Sequence, residues 1–404
     1  MAVNLTAPEI LKPIEGAELA VVEAGIRYKG RDDLVLIKLA EGASVAAVFT
    51  QNKCCAAPVT LAKHNIANNK IRGLLINSGN ANAVTGELGM SNAKASCDAV
   101  AKVLGVKAGQ ILPFSTGVIG EQLNMGALLG GIESTATVFS DDNWLAAAKG
   151  IMTTDTLPKG VSKTIEINGQ PIVITGISKG SGMICPNMAT MLAYVVTDAD
   201  IEQPLLDELL KRAVEQSFNR ITVDSDTSTN DALVLAATRK SKAGLINSDD
   251  DTQVFYQALK DVLIEIATAI VRDGEGATKF VRINVSDGAD SSDCKTIAYD
   301  IAHSPLVKTA LFASDPNWGR ILMALGKSAV NSLDMSKVDI KINQVSLIER
   351  GEPAASYTEE AGQAVFQQQE ITIDIKLNTG SDEYHLWTSD LSHDYVSINA
   401  DYRS

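Results

Sequence analysis

Thr164-Ile165-Glu166-Ile167-Asn168-Gly169-Gln170-Pro171-Ile172-Val173-Ile174-Thr175 decides the fold class, because it joins period-two alternation to a turn that suits a hairpin. Asn-Gly is the strongest short hairpin signal, since both residues accept the positive φ of a two-residue turn. The apolar runs on either side read as strands. A Gly/Ser/Pro loop follows at 179–187. After it, Thr190-Met191-Leu192-Ala193-Tyr194-Val195-Val196-Thr197 is apolar between its two threonines and predicts a buried strand.

The same alternation of elements runs outward in both directions. Gly73-Leu74-Leu75-Ile76-Asn77 reads as a short buried strand entering the turn-rich loop Ser78-Gly79-Asn80-Ala81-Asn82. Ala95, Val100, Val103 and Leu104 recur at helical spacing within 91–104. A run at 110–114 leads into Ser115-Thr116-Gly117-Val118-Ile119-Gly120, and 141–152 reads as a helix with acidic residues in its first turn. Downstream, helices are predicted at 203–218, 251–272 and 304–325. Strands are predicted at 232–237, 280–285, 338–342, 370–377, 385–388 and 395–400. Strands and helices intermix without strict alternation, which implies an α/β (α+β) layered sandwich rather than a barrel or a dinucleotide-binding fold.

Composition sets the outer bounds. At 404 residues the chain exceeds the roughly 250–300 at which one core stops growing, so two domains or two layered halves are expected. Apolar residues at 45% and charged residues at 21% fit a soluble globular protein. No apolar run is long enough for a membrane span, and residues 1–13 lack a secretory pattern, so a cytoplasmic protein is expected. A net charge of −14 and a pI near 4.8 argue against nucleic acid as a partner. The charge is unevenly spread: residues 1–189 carry 16 basic and 15 acidic side chains, and residues 190–404 carry 19 and 34. Cys54, Cys55, Cys97, Cys185 and Cys294 form no Cys-x-x-Cys pair, and the four histidines form no His-Glu-x-x-His pattern. Neither a disulfide framework nor a metal site is expected.

Three signatures fail on inspection. Gly176-Ile177-Ser178-Lys179-Gly180 matches a nucleophile elbow, but glycines and Pro186 follow where a helix must start. Gly326-Lys327-Ser328 resembles the end of a phosphate loop, yet Ile321 stands where its first glycine belongs. A Gly-x-Gly-x-x-Gly fingerprint is absent, so no nucleotide cofactor is expected.

What remains is Lys179-Gly180-Ser181-Gly182-Met183-Ile184-Cys185-Pro186-Asn187-Met188-Ala189-Thr190-Met191-Leu192. Thr190 heads the apolar strand with no nearby histidine to activate its weakly nucleophilic hydroxyl. Cleavage of the Ala189–Thr190 bond would free an α-amine to serve as its base. At an ordinary amine pKa, roughly a tenth to a sixth of that amine is neutral at pH 7. The residues alone permit this reading without singling it out, because many strands begin with threonine.

That whole run is similar to the signature of the glutamate N-acetyltransferase / ornithine acetyltransferase family, ArgJ. The resemblance covers essentially the full chain. It includes Asn77-Ser78-Gly79-Asn80-Ala81-Asn82-Ala83, the 115–120 loop and Met152-Thr153-Thr154-Asp155-Thr156-Leu157-Pro158-Lys159. It continues through 224–231, Asp273-Gly274-Glu275-Gly276-Ala277-Thr278-Lys279, 314–320 and the terminal Asn399-Ala400-Asp401-Tyr402-Arg403-Ser404. Ser225 departs from the glycine of many members.

The resemblance implies an N-terminal-nucleophile-like, DmpA/ArgJ-like sandwich. Its precursor cuts itself at Ala189–Thr190 into an α chain, 1–189, and a β chain, 190–404, assembled as α2β2. It implies acetyl transfer from N2-acetylornithine to glutamate through an acetyl-Thr190 ester, with Thr116 and Gly117 stabilising the oxyanion. Thr153, Thr154, Lys179, Thr190, Glu275, Asn399 and Ser404 would bind substrate, the last two only if the chain end docks. No metal or resident cofactor is implied, and some members take acetyl-CoA as a second donor. Two other readings stand beside it: a self-processing aminopeptidase or amidase with an N-terminal threonine nucleophile, and an uncut binding or scaffold protein.

Overall fold

The computed structural model describes residues 2–185 and 191–401. They fall into two compact units. One comprises Ala7–Asn219 with Asp226–Ile270, and the other Met1–Thr6 with Arg220–Ser225 and Val271–Ser404.

The first unit is built on two sheets. Ala17–Val22, Leu34–Leu39, Gly73–Asn77 and Ile111–Ser115 form a four-stranded sheet in that order. The second sheet runs Ser44–Phe49, Ala232–Ala237, Leu192–Thr197, Gln170–Lys179, Lys159–Ile167. Leu19, Val35 and Ile37 of one sheet share a buried core with Tyr194, Val196 and Val234 of the other. The rings of Phe114 and Tyr194 meet edge to face across it, centroids 5.3 Å apart. Helices cover the outer faces. Val100 and Ala101 pack on Leu34, Leu36 and Leu75 of the first sheet, and the helix Asp249–Arg272 lies over Gly176 of the second through Val262 and Ile266. Because both faces of Leu192–Thr197 are covered, all six of its residues are buried, which is why the strand reads as an unbroken apolar run.

The expected hairpin forms over Lys159–Ile167 and Gln170–Lys179, with Ile167 opposite Gln170. Asn168 and Gly169 take φ of 53° and 69°, as the two-residue turn requires. Ser178 lies inside the second strand and is buried, so the elbow-like match carries no nucleophile.

The second unit holds one seven-stranded sheet: Glu352–Pro353, Val345–Glu349, Asp339–Ile342, Glu370–Lys376, Phe280–Gly288, Asp382–Ser389, Ile221–Thr222. Ile371, Ile373 and Ile375 alternate into a core with Ile297, Ile301 and Ile321 from helices on the same face.

Three readings are corrected here. The segment 395–400 is not a strand but part of the helix His393–Ala400: Ser392 caps it by accepting from the Tyr395 N–H at 3.3 Å. The alternation of Val396 and Ile398 is misleading because both side chains are exposed. The helix expected at 304–325 is two, Pro305–Phe312 and Trp318–Gly326, broken around Pro316. The helix Ser291–Ala302 is absent from the expected elements, although Asp290 caps it through the Asp293 N–H.

Candidate active site

The strand Ile111–Ser115 delivers Thr116 and Gly117 into a loop folded against the 77–82 turn. Thr116 donates its N–H to the Asn77 carbonyl at 3.0 Å, and Ser115 Oγ donates to Asn77 Oδ1 at 2.6 Å. Asn77 Nδ2 donates onward to the Asn80 carbonyl at 2.9 Å. Gly117 has φ 133°, and a Cβ there would stand 2.2 Å from the Gly79 carbonyl carbon. Only glycine lets the two loops approach this closely.

Lys179 ends the hairpin and donates from Nζ to Thr116 Oγ1 at 3.2 Å. Two residues expected in one site are therefore in contact. Thr153 and Thr154 are held beside the same segment: Thr154 Oγ1 and Ser181 Oγ share a hydrogen bond of 2.7 Å, and the Thr153 N–H donates to Asp155 Oδ2 at 3.0 Å. Asp155 Oδ1 accepts from the Gly180 N–H at 2.7 Å and from Lys159 Nζ at 2.6 Å. The side chains of Asp155 and Lys159 are both 0% exposed. Burial pushes the Asp155 carboxyl up, but Lys159, Lys179 and the Gly180 N–H outweigh it and hold it below the usual carboxylate range. This pair staples 153–159 to the loop after Lys179. Neither residue stands out in the sequence as functional, because a lone Asp-x-x-x-Lys outside a helix carries no local signal.

Asp231 is another buried carboxyl without a sequence signal. Burial pushes it up, tempered by Ser228 and Lys179, and its Oδ2 accepts no hydrogen bond among the described residues. It directly precedes the strand Ala232–Ala237, whose first N–H donates to the Met191 carbonyl at 2.9 Å.

Glu275 and Asn399 come together in the other unit. Gly276 has φ 68°, and a Cβ there would lie 2.4 Å from Ser392 Oγ and 2.6 Å from the Tyr395 nitrogen, so the 273–279 loop sits on the first turn of the terminal helix. From that helix Asn399 Nδ2 donates to Glu275 Oε2 at 2.7 Å, and the Tyr395 hydroxyl donates to Asp224 Oδ2 at 3.2 Å. Asp390 holds the far end of the loop, accepting from the Thr278 and Lys279 N–H groups at 2.8 and 2.9 Å. Lys308 lies buried nearby, donating to Thr388 Oγ1 at 3.1 Å and to the Ser389 carbonyl. Burial pushes its ammonium down to about 8, against the opposing pull of Asp390 and Asp224. Ala189, Thr190 and Ser404 lie outside the described residues.

A loop offering a hydroxyl, a glycine peptide and a lysine together can stabilise a developing oxyanion or hold a carboxylate. Curated relatives match over nearly the whole chain. The arginine biosynthesis bifunctional protein ArgJ of Pseudomonas fluorescens (strain Pf0-1) is 51% identical over 407 residues, spanning 100% of both chains. That of Psychrobacter arcticus is 52% identical over 403 residues, 99% of each. The crystal structure of arginine biosynthesis bifunctional protein ArgJ from Bacillus halodurans is 36% identical, with a TM-score of 0.49, over 51% of this chain and 97% of that one. The ArgJ family model matches residues 18–404, and the chain belongs to the ArgJ family.

Proposed function

We propose that this chain is the glutamate N-acetyltransferase (ornithine acetyltransferase) of arginine biosynthesis, working by ping-pong acyl transfer. The observation that carries the proposal is the Lys179–Thr116 contact of 3.2 Å beside the clamped Gly117. Family membership supports transfer over hydrolysis by a self-processing aminopeptidase or amidase.

In this reading the precursor cuts itself at Ala189–Thr190, leaving chains 1–189 and 190–404. The Thr190 hydroxyl gives its proton to its own α-amine as the oxygen attacks the acetyl carbonyl of N2-acetylornithine. The oxyanion takes donors from the Thr116 hydroxyl and the Gly117 N–H. One such donor is typically worth about 3–4 kcal/mol of barrier. The tetrahedral intermediate then collapses, ornithine leaves with the proton, and acetyl remains as an ester on Thr190. Glutamate's amine attacks that ester, the proton returns to the Thr190 oxygen, and N-acetylglutamate departs.

Lys179, with Thr153 and Thr154, takes the α-carboxylate common to both substrates. Glu275 pairs with the ornithine side-chain amine, and the resemblance adds Asn399 and Ser404 to the substrate-binding residues. The chemistry needs no metal or organic cofactor. Relatives are named bifunctional, which favours acetyl-CoA as a second acetyl donor. An α2β2 assembly in the cytoplasm completes the proposal.

Denaturing mass analysis with N-terminal sequencing tests it. Wild type should yield two fragments, the larger beginning at Thr190, and Thr190→Ala should remain one species of 42.8 kDa without transferase activity. A Thr190→Ala variant that still makes N-acetylglutamate ends the reading.

A further inference from the structure

Asn230 is buried, two residues ahead of the strand position that bonds Met191. Its Nδ2 donates twice, to the Ala81 carbonyl at 2.6 Å and to the Ser115 carbonyl at 2.9 Å. Its Oδ1 accepts from Thr229 Oγ1 at 2.6 Å. These partners fix which way round the amide lies, because an amide oxygen turned toward the two carbonyls would bring them no proton.

The consequence for the neighbouring peptides is specific. The Ser115–Thr116 peptide is held at both polar atoms, its C=O by Asn230 and its N–H by the Asn77 carbonyl. Directly after it comes the Thr116–Gly117 peptide, which ends at a Gly117 Cα so close to the Gly79–Asn80 backbone that a Cβ would not fit. Beyond that, the Val118 N–H donates to the Gly79 carbonyl at 3.3 Å. The peptide carrying the Gly117 N–H therefore has its direction set from both sides. Asn230 links this frame to the chain leading into Ala232–Ala237, which pairs in register with Leu192–Thr197.

We infer that Asn230 is a positioning residue for acyl transfer, fixing the oxyanion-loop peptide against the strand that follows Thr190 in sequence. The inference rests on Thr116 and Gly117 serving as oxyanion donors, as proposed above. A charged side chain in this position would add a field that changes with pH. A neutral amide gives two fixed donors and leaves the loop dipoles aimed.

The test is steady-state acetyl transfer from N-acetylornithine to glutamate, counted per cleaved chain, for Asn230→Ala, Asn230→Asp and Asn230→Ser, with Thr116→Ala in parallel. Asn230→Ala and the isosteric Asn230→Asp should lose about 10–100-fold in kcat, with KM for N-acetylornithine within about threefold of wild type. Asn230→Ser keeps one donor and should fall between. A kcat for Asn230→Ala within about threefold of wild type overturns the inference even if Tm drops, because a merely structural amide lowers Tm without touching kcat. Three variants that are unfolded, or folded and uncut, assign the amide to folding or maturation and also overturn it. If Thr116→Ala keeps its kcat, the oxyanion reading itself fails, whatever the Asn230 variants do.

Discussion

The 115–120 loop and the 273–279 loop are held by opposite means. The first is framed by neutral amides: Asn77 donates to the Asn80 carbonyl and Asn230 to the Ser115 carbonyl at fixed geometry. The ion pair beside it, Asp155–Lys159, is fully buried. The second is framed by a carboxylate, Asp390, and rests on a terminal helix with no buried residue. Neutral, buried donors hold a direction that does not change with pH, which suits oxyanion stabilisation. The second frame is buried as well, with Asp390 4% and Glu275 9% exposed, so the two differ in charge: a carboxylate can face a charged substrate group.

Three measurements break or sharpen that contrast. The largest effect belongs to Asp155→Asn, which removes the buried carboxylate facing the Lys159 ammonium. A cost of about 3–5 kcal/mol is expected, read as a Tm lowered by about 10 °C. A drop under about 2 °C would show that the pair is not the staple of the first frame.

Glu275→Gln should act the other way. It keeps the hydrogen-bonding shape and removes the charge, so KM for N-acetylornithine should rise about tenfold while unfolding stays within about 0.5 kcal/mol. An unchanged KM removes Glu275 from substrate binding.

The smallest effect concerns pH. His303 and His385, both in the second unit, are pushed down by burial from 6.5 to about 4, helped by Lys308 and Arg220 respectively. Between pH 6.5 and 4 the unfolded chain binds protons that the folded imidazoles refuse, so stability falls as pH falls across that window. The Tm of His303→Gln/His385→Gln should fall about 2–4 °C less than wild type between those pH values. Parallel Tm curves for the two proteins would refute this.

Much of the frame is legible in the chain itself. The Asn168-Gly169 hairpin and the strand through Tyr194 follow from local periodicity and turn chemistry. Thr116, Gly117, Thr153, Thr154, Lys179, Glu275 and Asn399 stand out only through family resemblance, since nothing local distinguishes them. The terminal helix shows where local reading fails. Val396 and Ile398 sit two apart as in a strand, but the cap at Ser392 and the contacts of Tyr395 and Asn399 decide the matter.

Sequence by itself therefore determined the elements whose stabilising contacts lie within a few residues, and the buried strands whose apolar runs declare two covered faces. Only tertiary structure decided the meeting of Lys179 with Thr116, of Asp155 with Lys159 and Gly180, and of Asn230 with Ser115 and Ala81. Those partners lie between 4 and 149 positions apart. A buried polar group must find a partner wherever the fold brings one, and that requirement leaves no periodic trace in the chain.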